Sequence, residues 1–350
     1  MKIIVDVMGG DNAPDEMVKG VCQAAQEFNN ASYILVGNRM EMERVAAENH
    51  LDLRRFDIVH TEEVITMEDD PLCVVRGKTA SSMATGLRLL AEGAGDAFVS
   101  TGNTGALFTG ATLIVRKIKG VLRAGIGAVL PLGNPVLLLD TGANVTCTEE
   151  NLEQFAEMGS AYMKKMYGLE KPRVGLLNNG TESCKGTDLQ KAAYARMEAN
   201  QGIAFIGNVE GSAAPFGVCD VLVADGFTGN IFLKTIEGVS RALFGKVKGV
   251  LYSSTATKIA ALTMKKPLTE MKKELDPKEH GGAPILGISK PVIKAHGSSD
   301  ALAFKNAIRQ AISYAGSDVI YDLAACAARS AELRRAEHER QKAAEEGQQS

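Results

Sequence analysis

Ala97-Phe98-Val99-Ser100-Thr101-Gly102-Asn103-Thr104-Gly105 decides how this chain is read. Three residues suited to a buried strand run straight into a turn of glycine, hydroxyl and amide residues, and a helix is expected to begin near Thr104. The same order recurs along the chain. Aliphatic and β-branched runs at 3–7, 33–36, 56–59, 97–99, 136–139, 174–177, 203–206 and 221–224 alternate with amphipathic stretches at 15–28, 79–92, 149–167, 188–200 and 298–314. Strands separated by helices pair side by side rather than as hairpins, so the pattern predicts an α/β chain with a mostly parallel sheet flanked by helices. Residues 1–330 are expected to form one α/β domain or two lobes. Ala, Glu, Arg and Gln dominate 331–350, which is expected to be a charged helix fraying into a disordered tail.

In such sheets ligands bind beyond the carboxyl ends of the strands, where loops enter helix N-termini. Five of these turns are rich in Gly, Asn, Thr and Asp: 8–14, 100–105, 140–144, 178–182 and 225–230. Glycine lets backbone N–H groups approach an anion, hydroxyls and amides add neutral donors, and the following helix offers its positive end. Five together predict one shared pocket. Ser100, Gly102, Asn103, Thr104 and Gly105 are the candidate phosphate ligands, and Gly9, Gly10, Asp11, Asn144, Asn178, Asp225 and Ser298 the candidate substrate contacts.

Familiar alternatives fail. Arg76-Gly77-Lys78-Thr79 ends like a P-loop, but Leu72 stands where its first glycine belongs, and the glycine pairs at 93/95 and 125/127 meet Phe98 and Leu130 where a dinucleotide fingerprint needs its third. The five histidines show no ligand spacing and G-x-S-x-G is absent, so neither a metal nor a serine nucleophile is expected. Lys185 reads either as a charge-stabilising group or as a solvated surface lysine. His296 reads either as a loop acid/base or as a cap for the helix that follows.

Composition narrows the setting. With 350 residues, 45% of them hydrophobic, a buried core is affordable without staples, and no apolar run is long enough to cross a bilayer. A core strand beginning directly after Met1 leaves no room for a signal peptide, so the cytoplasm is expected. The six cysteines contain no C-x-x-C pair and read as free thiols. A net charge of -3 and only 5% aromatic residues argue against a nucleic-acid partner.

Residues 246–275 break the α/β rhythm, carrying seven lysines against Glu270 and Glu274. Pro267 is expected to split this segment into a projecting helical hairpin. It reads as an arm packing on another subunit, as an anionic membrane contact through Ile259, Leu262, Met264, Lys265 and Lys266, or as both.

Seven motifs, MGGDNAP at 8–14, STGNTGA at 100–106, LLDTGAN at 138–144, GLLNNGTE at 175–182, FIGNVEG at 205–211, DGFTGN at 225–230 and KAHGSSD at 294–300, together resemble the bacterial phosphate acyltransferase family, the PlsX type of acyl-ACP:phosphate acyltransferase. Each is modest alone, but the ordered set spans nearly the whole chain. The resemblance implies transfer of a fatty acyl group from acyl carrier protein to inorganic phosphate, the acyl phosphate feeding phospholipid synthesis. It also implies a Rossmann-like fold similar to phosphate acetyltransferases and isocitrate/isopropylmalate dehydrogenases, a homodimer, and a peripheral place on the inner face of the membrane beside a downstream glycerol-3-phosphate acyltransferase. Two departures stand out: Thr101 where the family often has Ala, and Ser183-Cys184 where charged residues are common.

An activated thioester attacked by phosphate needs positioning and oxyanion stabilisation rather than a cofactor or a covalent intermediate. Lys185, Asn230 and His296 are the expected catalytic residues, the first two for oxyanion or phosphate contacts and His296 for the leaving thiolate. The rival readings are a short-chain phosphate acetyltransferase using acyl-CoA, a dehydrogenase of the related fold, and a non-catalytic membrane scaffold.

Overall fold

The computed structural model describes the backbone of residues 1–130, 134–274 and 281–348, and their side chains except at 256, 259, 260, 262, 265, 268, 272–274 and 336–348. The first part of the chain forms β1 (Lys2–Asp6), α1 (Asp15–Glu27), β2 (Ser32–Gly37), α2 (Arg39–Glu48), β3 (Asp57–His60), α3 (Ser82–Glu92), β4 (Ala97–Ser100) and α4 (Thr104–Gly110), the last continued by a wider turn over Ala111–Arg116. Then come β5 (Gly125–Leu130), β6 (Val136–Leu139), α5 (Glu149–Tyr167), β7 (Arg173–Asn178), α6 (Asp188–Ala199), β8 (Ala204–Glu210) and β9 (Val221–Val223). The chain ends with α7 (Gly226–Leu251), α8 (Thr255–Thr263), α9 (Lys265–Glu274), β10 (Ala283–Leu286), β11 (Val292–Lys294), α10 (Ala301–Ala315) and α11 (Val319–Gln348).

Among the described residues, eleven strands form one sheet in the order β3-β2-β1-β4-β11-β10-β5-β6-β9-β7-β8. Ile3, Ile4 and Val5 of β1 are all fully buried, because a parallel strand covered on both faces has no wet side. Side chains still alternate by face. Ile3 and Val5 join the core that holds Phe304 of α10 and Phe155 of α5, whereas Ile4 joins Phe98, Leu87 and Met83 in the core under α3.

Three antiparallel pairings, β11 with β10, β10 with β5 and β5 with β6, interrupt the parallel order. Each reverses direction, so β6, β9, β7 and β8 run opposite to β1–β4 and β11. The carboxyl ends of the two parallel groups therefore lie on opposite edges of the sheet. This corrects the single pocket expected from five strand-end loops, which fall into two sets. Gly125 and Gly127, tested above against a dinucleotide fingerprint, are strand residues of β5.

Other boundaries also differ from expectation. Lys246 and Lys248 end the long α7 rather than opening a hairpin, and Pro267 lies in the first turn of α9, where a missing N–H breaks no helical bond. The helix expected from 298 begins at Ala301, capped by Asp300 through the Ala303 N–H at 3.0 Å, so the capping alternative for His296 falls. The C-terminal segment is helical through Gln348.

Candidate active site

The first set of loops is built on β1, β4 and β11. Asp6, at the end of β1, is 1% exposed and accepts hydrogen bonds from Ser100 Oγ at 2.7 Å and Met8 N at 3.1 Å. Burial pushes its carboxyl above the usual aspartate range, against the pull of these hydrogen bonds. Ser100 Oγ in turn accepts the Gly102 N–H at 3.0 Å, and Thr101 Oγ1 donates to the Gly9 carbonyl. The two glycine turns touch backbone to backbone: a Cβ on Gly9 would lie 2.7 Å from Gly102 N. Asp11 N donates to the Gly297 carbonyl at 2.9 Å, joining the third loop.

Asn103 fastens this cluster to the chain before α3. Its Oδ1 accepts the Ala106 N–H at 3.0 Å, capping α4, while Nδ2 reaches the carbonyls of Thr66, Met67 and Asp69 at 3.2, 3.1 and 3.0 Å. The Ser100 hydroxyl, the Gly102 N–H and the Asn103 amide, read above as phosphate donors, are thus committed within the chain. Thr104 is exposed, and neither its N–H nor that of Gly105 has a hydrogen-bond partner among the described residues. Both open α4, whose positive end they carry.

The second set lies at the carboxyl ends of β6, β9 and β7. Asp140, fully buried, accepts five hydrogen bonds: Oδ1 from the N–H groups of Ile126, Gly142 and Ala143 at 3.0, 3.2 and 3.2 Å, and Oδ2 from Asn144 N and Nδ2 at 2.6 and 2.9 Å. Asp225 caps α7 by accepting Thr228 N at 2.9 Å. One turn on, Gly229 lets the helix close on Asp140, whose carbonyl oxygen would stand 2.0 Å from any Cβ. This contact brings Asn230 Nδ2 to the Thr141 carbonyl at 2.8 Å. On the neighbouring β7, Asn178 Nδ2 donates to the Lys185 carbonyl at 3.2 Å and shapes the loop that holds Lys185 exposed. Asn208 of β8 steadies the same loop through the Glu182 carbonyl at 2.8 Å.

α7 connects the two edges. It starts beside Asp140 and runs back along the sheet, and Lys234, about 12 Å along it at 1.5 Å per residue, acts electrostatically on Lys294 and His296. His296 Nδ1 accepts the Ser298 N–H at 3.2 Å. Burial, then the Lys234 charge, holds the imidazole below its ordinary 6.5, so the ring is neutral at neutral pH with its proton on Nε2. Lys294, the last residue of β11, is 8% exposed and donates to the carbonyls of Thr101, at 3.2 Å, and Ala295. Burial lowers its ammonium to about 8.

A family model described as fatty acid synthesis protein matches residues 1–322. Among curated relatives, phosphate acyltransferase of Caldanaerobacter subterraneus subsp. tengcongensis is 44% identical over 91% of this chain and 95% of its own length. The chain belongs to this phosphate acyltransferase family. Phosphate acyltransferase of Bacillus licheniformis is 46% identical over 89% of the chain and 93% of its own. A phosphotransacetylase from Streptococcus pyogenes covers 90% of the chain and 94% of its own at a TM-score of 0.59 and 17% identity, a likeness of fold. The motif resemblance and the expected fold are both borne out. No helix among the described residues is long and apolar enough to cross a membrane.

Within this phosphate acyltransferase the structure gathers Gly9, Gly10, Asp11, Ser100, Gly102, Asn103, Thr104, Gly105, His296 and Ser298 at one edge, and Asn144, Asn178, Lys185, Asp225 and Asn230 at the other. Asn144 is held by Asp140 and donates to the Ala124 carbonyl at 2.7 Å. The motifs contained two residues that the sequence reading passed over. Asp140 organises the second edge, and Lys294 places a buried cation under the first. Lys294 had a legible signal: two positions beyond the buried Val292 on the same strand, it must face the same side.

Proposed function

We propose that this chain makes fatty acyl phosphate from acyl-[acyl carrier protein] and inorganic phosphate, for phospholipid synthesis. The observation that carries the reading is the pair of unbonded N–H groups of Thr104 and Gly105 at the head of α4, on a loop in which the Ser100 hydroxyl, the Gly102 N–H and the Asn103 amide are already committed. They suit a small anion approached by backbone alone. A phosphate oxygen attacks the thioester carbonyl carbon, a C–O bond forms, and the tetrahedral oxyanion collapses with loss of the C–S bond. The neutral His296 ring offers its Nε2–H to the departing thiolate of the carrier's phosphopantetheine arm. Lys185 and Asn230 are assigned to the oxyanion or phosphate, with the substrate lying along α7 between the two edges and Asp225 and Asn178 shaping its bed.

The finer setting is proposed on surface chemistry. Phe227, Ile231, Val239 and Leu243 are exposed at four- and eight-residue spacing along α7, an apolar face that a second copy would cover as a homodimer. Met264 and Lys266, both exposed between and within α8 and α9, supply the apolar and cationic groups for an anionic membrane surface on the cytoplasmic side. The side chains of Ile259, Leu262 and Lys265, assigned to the same contact, lie outside the described residues. Hydroxylamine trapping of acyl phosphate, run with acyl-carrier-protein and acyl-CoA donors and with and without phosphate, tests the reaction. Phosphate-dependent product from the carrier-protein donor is expected. Product from acyl-CoA alone would instead assign a short-chain transacetylase, and no product a scaffold.

A further inference from the structure

A buried ammonium normally forms a contact ion pair with a carboxylate, because an unpaired charge in the interior is strongly disfavoured. Lys294 does not follow this rule. Its Nζ is held by two carbonyls, those of Thr101 and Ala295, and among the described residues no carboxylate lies within ion-pair distance of it. Lysine has three N–H donors, so one is left over. The Thr101 carbonyl that anchors it lies three residues before Thr104, on the same turn. The cation therefore shares a turn with the unbonded N–H groups of Thr104 and Gly105.

We propose that Lys294 is the charge of the phosphate subsite: a cation held under the glycine loop by backbone carbonyls, with its third N–H reserved for a phosphate oxygen. This rests on the phosphate-dependent reaction proposed above. The division of labour is physical. Backbone N–H groups supply direction from α4, and Lys294 supplies the full charge that a dianion needs and that neutral donors lack. The charged groups around Lys294, beyond ion-pair distance, are Asp11 and Asp6 from β1 and its loop, which favour its protonated form against burial, and Lys234 from α7, which opposes them. His296 stands on its own loop and feels Glu237 as well as Lys234. β4 and β10 present no ionisable side chain to it.

The test separates charge from clamping. Lys294→Gln keeps a donor for the two carbonyls and removes the charge, whereas Lys294→Arg keeps the charge. In the full-length protein, Lys294→Gln is expected to raise the phosphate KM and the phosphate Kd, measured calorimetrically, by about thirtyfold or more, with the acyl-donor KM within about threefold and Lys294→Arg near the parent. A Kd for Lys294→Gln within about threefold of the parent overturns the assignment and leaves the reaction standing. A parent that binds phosphate but makes no acyl phosphate overturns the reaction, and the Kd comparison still decides Lys294. A parent that binds no phosphate overturns both. If Lys294→Gln does not fold, sulfate competition in the parent decides, since sulfate does not titrate in this range: its affinity should fall about tenfold as pH rises from about 7 to about 9.5. His296 titrates below that window. A flat profile overturns the proposal.

Discussion

Ser100 Oγ donates to Asp6 Oδ2 at 2.7 Å where neither residue reaches solvent, linking the last residues of β1 and β4 and, through them, two of the glycine turns. Ser100→Ala removes that donor and also the acceptor of the Gly102 N–H. Leaving a buried carboxylate and an amide short of partners costs about 1–3 kcal/mol. Urea denaturation should report a loss in that range, and an unchanged midpoint would mean that water replaces the hydroxyl.

Gly9→Ala is expected to act on the site more than on the core. The added Cβ meets Gly102 N at 2.7 Å and Gly102 Cα at 2.8 Å, contacts made by backbone, so the two turns must separate. kcat/KM for phosphate should fall by about 10²-fold, the scale at which an ångström of misplacement is felt. Parent-like kinetics would place the anion elsewhere.

Lys185 is exposed, so its removal leaves the interior intact. Lys185→Ala should reduce turnover by about 10²- to 10³-fold, the scale of one lost oxyanion donor, with an unaltered melting temperature. Activity within about threefold of the parent would remove Lys185 from the chemistry. Cys184→Ser, at the neighbouring exposed thiol, should keep full activity under the proposed direct attack of phosphate on the thioester.

The lysine beneath the loop gives stability a pH signature. In the fold its ammonium is held at about 8, below the ordinary 10.5, so the unfolded chain binds the proton more tightly. For a depressed folded value the stabilising contribution is present above the unfolded pKa and is lost as pH falls through the folded one. Relative to Lys294→Gln, the parent should gain on the order of 1 kcal/mol between about pH 7 and about pH 9, read from urea midpoints in buffer free of phosphate and sulfate. Parallel curves for the two proteins would contradict the assignment.

Reversing charge at the α8–α9 turn tests the membrane contact. The double variant Met264→Glu, Lys266→Glu should bind vesicles containing phosphatidylglycerol about tenfold more weakly or worse, since each lysine contributes about 1 kcal/mol at an anionic surface. Catalysis with soluble acyl donor should be unaffected. Equal binding by parent and variant would remove this turn from the interface.

Much of the fold was legible because parallel strands announce themselves as apolar runs: all eight expected runs lie in the sheet. β5, β10 and β11 were not. Gly125 and Gly127 interrupt the run of β5, Pro284 lies in β10 and Pro291 directly precedes the three-residue β11, and the pairings β10 with β5 and β11 with β4 join residues more than a hundred positions apart, as in Ile126 with Ile285. Missing them hid the reversal of direction and made two sets of loops look like one. The site was legible as a set of residue types but not of atoms. Asn103 was read as a donor for phosphate because nothing local reveals that Thr66, Met67 and Asp69 claim its amide.

That amide has a further consequence. A phosphate ion has only five heavy atoms, so little of its contact energy can go into freezing a loop. By tying four backbone groups with one side chain, Asn103 places the entropy loss of ordering the turn in the folding transition, long before any ligand arrives. For the phosphate proposed to bind at this loop, a turn ordered in advance means that the ion binds and leaves without rearrangement, so that encounter rather than loop closure sets how often the site is filled.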